Sequence, residues 1–241
     1  MGKIRFFCLL AVLALAAVPW GLARQEPVAA AGGIQLPAGE KYVALTFDDG
    51  PKAGTTDVLL DGLAERRASA TFFLIGRQIQ ENRDLVERMA AEGHQVGNHT
   101  WNHARLAGAD AAAISREVEQ TDQLLQSILG PGEYWVRPPY GDVDDPVRTA
   151  ITVPMVKWSV DPRDWESQDA DKVVQAVLKA VRPNSIILLH DIYPSSVEAA
   201  LRLVDQLRQE GYQLVTVREL LALNGVNPET GVLYCSGTSR I

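Results

Sequence analysis

The sequence predicts an α/β fold built on a mainly parallel sheet, and three observations support this. First, short apolar runs alternate with amphipathic segments along most of the chain. Second, glycines stand where the amphipathic segments end, at positions 93, 130 and 211. Third, polar clusters stand at or just past the ends of the apolar runs, as they do at the carboxyl rim of a βα-barrel. Alternation of this kind predicts a parallel sheet that is either open or closed into a barrel.

Seven short segments rich in β-branched and aromatic residues are predicted to be strands, because they are too short for helices. They are Tyr42–Phe47, Ala70–Ile75, Gln95–Gly97, Tyr134–Arg137, Met155–Val160, Ser185–His190 and Tyr212–Val217. The predicted helices are Thr56–Arg67, Arg83–Glu92, Ala109–Leu129, Pro146–Ile151, Ala170–Val181 and Ser195–Glu210. Apolar stripes at helical spacing, such as Leu59, Leu60 and Leu63, mark the faces that these helices bury.

The N-terminal residues match the pattern of an export signal. Lys3 and Arg5 precede an unbroken apolar run over Phe6–Val18, and small residues stand where a signal peptidase would cut after Ala23. Uncut, residues 6–23 are just long enough to cross a bilayer and could serve as a membrane tether. The pattern therefore predicts export, and it leaves open a cleaved signal peptide or a retained anchor.

The chain divides into four segments by composition and pattern. They are a signal peptide or N-terminal membrane anchor over 1–23, an Ala-, Gly- and Pro-rich linker over 24–40, one folded domain over 41–223 and a C-terminal tail over 224–241. We expect an exported protein, either extracellular in the cell wall or anchored to the membrane and facing outside.

Charge and cysteine content exclude some partners and crosslinks. The formal net charge of −7 disfavours nucleic acid, whose binding depends on neutralising phosphates, so we expect no nucleic-acid partner. Cys8 lies in the apolar run of the signal, which leaves Cys235 alone and predicts no intramolecular disulfide in the mature chain. We expect a monomer that depends on its apolar core for stability.

Two of the four histidines, His99 and His103, stand four residues apart. On a helical turn, side chains at this spacing project from one face, so two imidazoles can converge on one divalent metal. Two solvated polar side chains on a turn fit the same spacing equally well. The pair by itself does not decide between a metal ligand and a surface turn.

Asp48 and Asp49 end the first predicted strand. Adjacent carboxylates repel each other unless a cation or a basic group offsets their charge. One acid could bind a metal while the other moves a proton, although a solvated Asp-Gly turn is the simpler alternative. Together with His99 and His103, Asp49 would make three protein ligands and leave a position open for water. In the His-Glu-x-x-His motif of zinc metalloproteases, the Glu that follows the first histidine is the general base. Here Thr100 follows His99, so the base must come from elsewhere, and Asp48 is the adjacent candidate.

Three further clusters follow predicted strands, and each has a plain structural alternative. Arg137 begins a rigid Arg-Pro-Pro-Tyr string. Its guanidinium could pair with a carboxylate, and the Tyr140 amide would stay free to donate to an oxyanion. An exposed proline turn with a surface arginine is the alternative. Trp165 could line a sugar groove or cap the barrel. Leu188 and His190 share one face of their strand, where an apolar wall beside a proton donor suits an acyl group; a structural histidine is the alternative.

Taken in order, five strings resemble the motifs of the polysaccharide deacetylase family, the NodB-homology domain of carbohydrate esterases. They are Thr46-Phe47-Asp48-Asp49-Gly50, His99-Thr100-Trp101-Asn102-His103, Arg137-Pro138-Pro139-Tyr140, Asp161-Pro162-Arg163-Asp164-Trp165 and Leu188-Leu189-His190. The resemblance runs over residues 41–223, which it identifies as the catalytic domain. It implies the fold of that family, a deformed (β/α) barrel of about seven parallel strands.

The resemblance also implies a role for each motif residue. It makes Asp48 the general base and His190 the general acid, with Arg137 orienting Asp48 and Asp164 orienting His190. A divalent metal, by preference Zn²⁺ with Co²⁺ or another divalent ion as alternatives, would be held by Asp49, His99 and His103. The residues that it assigns to substrate binding are Tyr140, Trp165 and Leu188.

The implied reaction is metal-dependent hydrolysis of N-acetyl groups from N-acetylglucosamine residues of an acetylated amino-sugar polysaccharide, with release of acetate. Peptidoglycan is the favoured substrate because the chain is predicted to be exported. Chitin or chito-oligosaccharides, and O-acetyl groups of xylan, are the alternative substrates. A carbohydrate-binding protein without activity is a more remote alternative, which the intact Asp48 and His190 disfavour.

Overall fold

The structure is a computed structural model that describes residues 40–241. The predicted signal peptide or membrane anchor and all but the last residue of the predicted linker lie outside the described residues. None of the helices between residues 40 and 241 combines the length and the apolar character that a membrane span needs.

The described residues form seven strands and nine α-helices, and every strand except the last is followed by one or two of these helices. The strands are β1 (Lys41–Asp48), β2 (Thr71–Leu74), β3 (Gln95–Asn98), β4 (Met155–Val156), β5 (Ile186–His190), β6 (Tyr212–Leu214) and β7 (Leu233–Tyr234). The helices are α1 (Thr56–Glu65), α2 (Gly76–Glu81), α3 (Arg83–Ala91), α4 (Ala111–Leu129), α5 (Asp145–Ala150), α6 (Asp164–Ser167), α7 (Ala170–Ala180), α8 (Pro194–Gln209) and α9 (Val217–Leu223).

All strand ladders are parallel, and their register sets up one rim. The main sheet has the order β3-β2-β1-β5, and β6 pairs with the N-terminal part of β1. At the carboxyl end of β1, Asp48 lies opposite Phe73 of β2 on one side and His190 of β5 on the other. Since parallel strands end at the same edge, the polar residues that follow them collect there.

The remaining strands make the barrel irregular. A second, two-stranded ladder joins β4 to β7, and isolated parallel bridges join Asn98 to Val136, Val136 to Met155 and Val160 to Ile187. Pairing therefore passes from β3 to β5 through single residues and not through a continuous ladder. The α/β fold and the parallel sheet were both predicted, and this arrangement is the deformed (β/α) barrel.

Three predicted strands were too long, and one of them, Tyr212–Val217, is reduced to β6 because Val217 already begins α9. Tyr134–Arg137 pairs only through the bridges at Val136, and Met155–Val160 is reduced to the two residues of β4 and a bridge at Val160. Prolines at 138, 139 and 154 flank these segments and lack the amide hydrogen that a ladder needs.

The helices bury the apolar stripes that the sequence predicts. Leu59, Leu60 and Leu63 of α1 are fully buried, and they pack in one cluster with residues of β1, β2 and β5. Burial of a leucine side chain stabilises the fold by roughly 2 kcal/mol, so these helices are held mainly by packing. The short helices α2, α6 and α9 were not predicted, because they contain two turns or fewer and show little periodicity.

The expected ragged tail contains an ordered strand. Leu233 and Tyr234 are 3% and 2% exposed, and they pair with Met155 and Val156 of β4. The tail therefore covers a part of the sheet that would otherwise present an unpaired edge.

Candidate active site

Asp48 ends β1 as a buried carboxylate with a buried cation beside it. Arg137 is 0% exposed, and its Nη1 donates to Asp48 Oδ1 at 2.7 Å and to Thr46 Oγ1 at 2.7 Å. Its other nitrogens donate to the carbonyl oxygens of Val156 at 3.4 Å and Lys157 at 2.9 Å. Burial lowers the pKa of Arg137 although the adjacent Asp48 raises it. The charge of Arg137 offsets Asp48 and holds its carboxylate in one orientation.

Asp49, His99 and His103 converge into one cluster whose ligand atoms all lie within 4.8 Å of one another. The Nε2 atoms of His99 and His103 lie 3.6 and 3.5 Å from Asp49 Oδ1. His99 Nε2 is also 3.6 Å from Asp48 Oδ2, so both carboxylates adjoin the cluster. The structure thus brings the three predicted ligands together.

The donor set of this cluster fits a divalent metal. Asp49 Oδ1 is buried and has no hydrogen-bond partner among the described residues, which is costly unless a cation satisfies it. The Nδ1–H of His99 donates to the carbonyl oxygen of Arg137 at 2.6 Å, which turns a free Nε2 lone pair toward Asp49. Burial and the neighbouring His99 lower the pKa of His103, so its imidazole is neutral at neutral pH, as a ligand must be. Two imidazole nitrogens and one carboxylate oxygen suit Zn²⁺ or Co²⁺.

The expectation that a helical turn aligns the two histidines is wrong. Residues 99–103 form an irregular loop after β3, in which Thr100 and His103 have φ values of 67° and 59°. The Asn98 side chain accepts from the Thr100 amide at 2.9 Å, and the Thr100 carbonyl accepts from the Gly76 amide at 2.9 Å. Backbone in the left-handed region costs roughly 1 kcal/mol per residue, and these hydrogen bonds hold the loop in that conformation.

This loop rests on Gly76, which leads to a prediction. A Cβ on Gly76 would overlap the Trp101 ring and lie 2.6 Å from Thr121 Oγ1. Gly76→Ala should therefore lower the free energy of unfolding by about 1–3 kcal/mol, as overpacking does, and displace the histidine loop. Thermal denaturation followed by circular dichroism measures this. Gly132→Ala is the matched control, since its Cβ would find its nearest atom at an ordinary 3.5 Å, and an equal loss in both variants would contradict the prediction.

His190 ends β5 on the opposite side of the cluster, and Asp164 holds it. His190 Nδ1 lies 2.9 Å from Asp164 Oδ1, and the His190 amide donates to Asp164 Oδ2 at 2.8 Å. The buried Ser196 hydroxyl donates to the same Oδ2 at 2.6 Å. His190 Nε2 points toward the site, at 4.0 Å from Asp49 Oδ2.

Asp164 makes His190 a cation. Burial by itself lowers the pKa of His190, but the hydrogen bond and the charge of Asp164, with smaller contributions from Asp48 and Asp49, outweigh burial and raise this pKa to about 9. His190 is therefore protonated at neutral pH and able to donate a proton from Nε2.

The three residues predicted to bind substrate differ in how far they are exposed to solvent. The Tyr140 ring lies edge-on to the His103 ring with centroids 4.9 Å apart, and Tyr140 is 52% exposed. Leu188 is buried two residues before His190, on the same face of β5. Trp165 is 45% exposed with the Arg163 guanidinium 5.5 Å from its ring, so it faces solvent near Asp164.

Several side chains that support the site were not predicted from the sequence. Thr46 and Asn98 lie on or beside the motifs, two residues before Asp48 and one before His99, and strand alternation could have indicated Thr46. Ser196 has no such signal, because it contacts Asp164 only through the fold, and Asp191 directly follows His190 but no local pattern indicates that it is buried. Asp161, which the strand pattern placed on the rim, is exposed and accepts from the Arg163 amide at 2.8 Å.

Residues 35–153 match the profile of the Polysaccharide deacetylase family. The chain is 38% identical over 181 residues to the peptidoglycan-N-acetylmuramic acid deacetylase PdaC of Bacillus subtilis, a match that covers 75% of this chain and 39% of that protein. It is 38% identical over 193 residues to a chitooligosaccharide deacetylase of Rhizobium leguminosarum bv. trifolii, covering 73% of this chain and 89% of that protein. The chain thus spans about two fifths of the length of PdaC and most of the rhizobial protein.

A solved structure shows the same fold. A family 4 acetyl xylan esterase from Clostridium thermocellum in complex with a cobalt ion superposes with a TM-score of 0.78 at 31% identity, covering 83% of this chain and all of that chain. The fold is that of this family 4 esterase, which places the chain in the class of carbohydrate esterases. Within that class, the chain belongs to the polysaccharide deacetylase family.

Proposed function

We propose that this protein is a metal-dependent deacetylase that removes N-acetyl groups from N-acetylglucosamine residues of peptidoglycan and releases acetate. One observation carries the proposal: a buried carboxylate, a cluster of metal-ligand type and a histidine that is bound to Asp164 meet at one rim. His99 Nε2 lies 3.6 Å from Asp48 Oδ2, and His190 Nε2 lies 4.0 Å from Asp49 Oδ2. Metal-assisted amide hydrolysis requires a general acid, a general base and a metal site that lie this close to one another.

Asp49, His99 and His103 would hold the ion, with Zn²⁺ the first choice and Co²⁺ the second. When bound there, such an ion supplies Lewis-acid polarisation of the acetyl carbonyl and lowers the pKa of water. The esterase from Clostridium thermocellum, in complex with cobalt, supports a divalent ion in this fold.

Asp48 acts as the general base and accepts a proton from the attacking water. Its Oδ1 is occupied by Arg137 and its Oδ2 faces His99, so only Oδ2 is directed at the site. Arg137 neutralises the carboxylate and fixes its orientation, which keeps the base ready for the water.

His190 acts as the general acid and protonates the departing amine nitrogen from Nε2. An amine anion is a poor leaving group, so the proton must arrive as the carbon–nitrogen bond breaks. The backbone amide of Tyr140, held with φ at 64°, is proposed to donate to the oxyanion from the opposite wall.

The role of Asp164 leads to a prediction for pH dependence. Because Asp164 raises the pKa of His190 to about 9, the acid form persists to that pH and activity falls above it. Asp164→Asn removes the charge, so the alkaline limb of kcat/KM should move at least about one unit to lower pH. The raised pKa also contributes stability below about pH 6.5, which is lost as pH rises through about 9.

The measurement is kcat/KM for acetate release between pH 5 and 10, in the approximate range where histidine titrates. Asp161→Asn is the control, an exposed acid three residues away whose one hydrogen bond among residues 40–241 is accepted from the Arg163 amide. An alkaline limb that stays in place in Asp164→Asn would show that another group donates the proton.

Substrate binding is proposed to use the exposed Tyr140 and Trp165 rings as surfaces for sugar faces and Leu188 as part of the acetyl pocket. Aromatic rings stack well on the apolar faces of sugars, and a buried leucine beside His190 accommodates a methyl group. The predicted export segment and the relatedness to a peptidoglycan deacetylase support action outside the cell.

The substrate is tested by an acetate-release screen with metal-reconstituted protein on peptidoglycan, chito-oligosaccharides and acetylated xylan. Release from peptidoglycan with new free glucosamine would support the proposal, whereas free muramic acid would change the sugar and retain the reaction. A response to xylan alone would favour the esterase alternative. Binding to glycans without any acetate release would favour a carbohydrate-binding protein.

A further inference from the structure

Asp191 is a buried carboxylate that the proposed reaction does not use. It directly follows His190 and is 0% exposed, and its Oδ1 has no hydrogen-bond partner among the residues that the structure describes. Taking a carboxyl group out of water without full hydrogen bonding destabilises a protein, and an apolar side chain of similar size is usually better for stability. A contribution to stability therefore does not explain why an acid occupies this position.

The contacts of Asp191 lead to the loop between β1 and α1. The hydroxyl of Thr56, the first residue of α1, donates to Asp191 Oδ2. The same hydroxyl accepts from the Lys52 amide at 2.8 Å, and Thr56 is fully buried. Lys52 Nζ also donates to the Ile192 carbonyl at 3.1 Å, which is a second link between this loop and the end of β5.

Asp191 also packs directly against the residue that follows Asp49. A Cβ on Gly50 would overlap both carboxylate oxygens of Asp191 and lie 2.8 Å from its Cγ. The Gly50 carbonyl accepts from the Ile75 amide at 3.1 Å, so the backbone here is held between β5 and the end of β2. Only glycine allows this close approach.

The backbone that Asp191 supports carries a metal ligand in a strained conformation. Asp49 has a φ of 72°, and a residue other than glycine in this region persists only when its surroundings hold it there. The Asp49 carboxylate must reach both His99 and His103, so a small change in this φ would move Oδ1 away from them. The fixed neighbours of Asp49 therefore determine the geometry of the cluster.

We propose that Asp191 and Thr56 form a brace that positions Asp49 for metal binding, by holding the Gly50 backbone against the end of β5. This inference rests on the proposed metal site. Asp191 and Thr56 are positioning residues, since they act on the ion only through the backbone of the loop. Their loss should weaken metal binding, and it should do so even in protein that is fully folded.

The test is the Co²⁺ dissociation constant of the metal-free full chain, measured by equilibrium dialysis, with melting temperature as a second measurement. We expect Thr56→Val and Asp191→Ala each to raise this constant about 10- to 100-fold. Thr56→Ser retains the hydroxyl and should restore binding to within about threefold of the original protein. Thr71→Val is the matched control, because Thr71 is also buried, and its hydroxyl accepts from the Val217 amide at the far end of β2.

The outcomes separate the brace from the metal site itself. Unchanged Co²⁺ binding in folded Thr56→Val, or an equal loss in Thr71→Val, would overturn the brace while the metal site stands. No Co²⁺ binding by the original protein would overturn the metal site and the brace with it. If Asp191→Ala does not fold, Thr56→Val and its rescue by Thr56→Ser decide the question.

Discussion

Asp48→Asn is expected to lower kcat/KM for acetate release by about 10³-fold while one metal ion per chain stays bound. Asparagine has the same shape as aspartate and keeps an Oδ1 that can accept from Arg137, so the surrounding structure stays in place. It has no basic oxygen to take the proton of water, and the reaction loses its general base. Activity and metal content, measured on the same sample, test this.

The metal content decides between two roles for Asp48. Asp48 Oδ2 and Asp49 Oδ1 each lie 3.6 Å from His99 Nε2. Distance alone therefore does not decide which of the two carboxylates binds the metal. Loss of metal in Asp48→Asn would make Asp48 a ligand. Asp161→Asn, an exposed acid on the same rim, is the control and should change kcat/KM less than about twofold.

The same substitution is also expected to destabilise the fold. It leaves the guanidinium of Arg137 fully buried without its counter-ion, and breaking a buried pair in this way costs about 3–5 kcal/mol. Denaturant unfolding measures the loss, and kcat/KM has to be measured well below the melting temperature of the variant. An unchanged free energy of unfolding would mean that Asp48 is not the group that compensates Arg137.

His103→Ala is expected to abolish metal binding and acetate release together. It removes one of three ligands and leaves a single imidazole and a carboxylate, which is too few to hold an ion in competition with water. Removing a group that only orients a ligand weakens metal binding about 10- to 100-fold. Removing a ligand itself should therefore weaken metal binding by a larger factor. Metal stoichiometry after dialysis against a chelator-free buffer measures it.

His94→Ala is the matched control for this experiment. His94 is buried at the opposite end of β3, where its Nδ1 accepts from the Ala70 amide at 3.1 Å. Its loss should lower the melting temperature and leave metal stoichiometry at one. Unchanged metal stoichiometry in His103→Ala would refute its role as a ligand.

Local sequence patterns predicted most of this fold because they report burial directly. The β1 and β5 strands are continuous apolar runs, as strands covered on both faces should be, and both were predicted to within a residue at their carboxyl ends. The segment Tyr134–Arg137 looks similar in sequence and was overpredicted, because its pairing depends on neighbours and on Pro154. The tail strand Leu233–Tyr234 was missed, since two residues have no periodicity.

Some site residues could be predicted from the sequence and others could not, and the difference is again whether the signal is local. Asp48, Asp49, His99 and His103 lie in two short strings that follow strands, and the parallel arrangement of the sheet brings such strings together. The helical turn expected for the histidine pair was wrong, because a β-branched Thr100 in the left-handed region has no signature in the sequence. Ser196 and Thr56 lie outside the strings, and their contacts with Asp164 and Asp191 span 32 and 135 residues.

Residue type and the local apolar pattern are enough to predict which chemical groups are present and at which ends of the strands they stand. The orientation of these groups follows from the packed fold, which sets the oxygen of Asp48 that meets Arg137, the nitrogen of His99 that faces Asp49, and the close contact of Asp191 with Gly50. These depend on register, on left-handed backbone and on contacts over long sequence separation. Such features are set by the packing of the whole barrel, which no local pattern encodes.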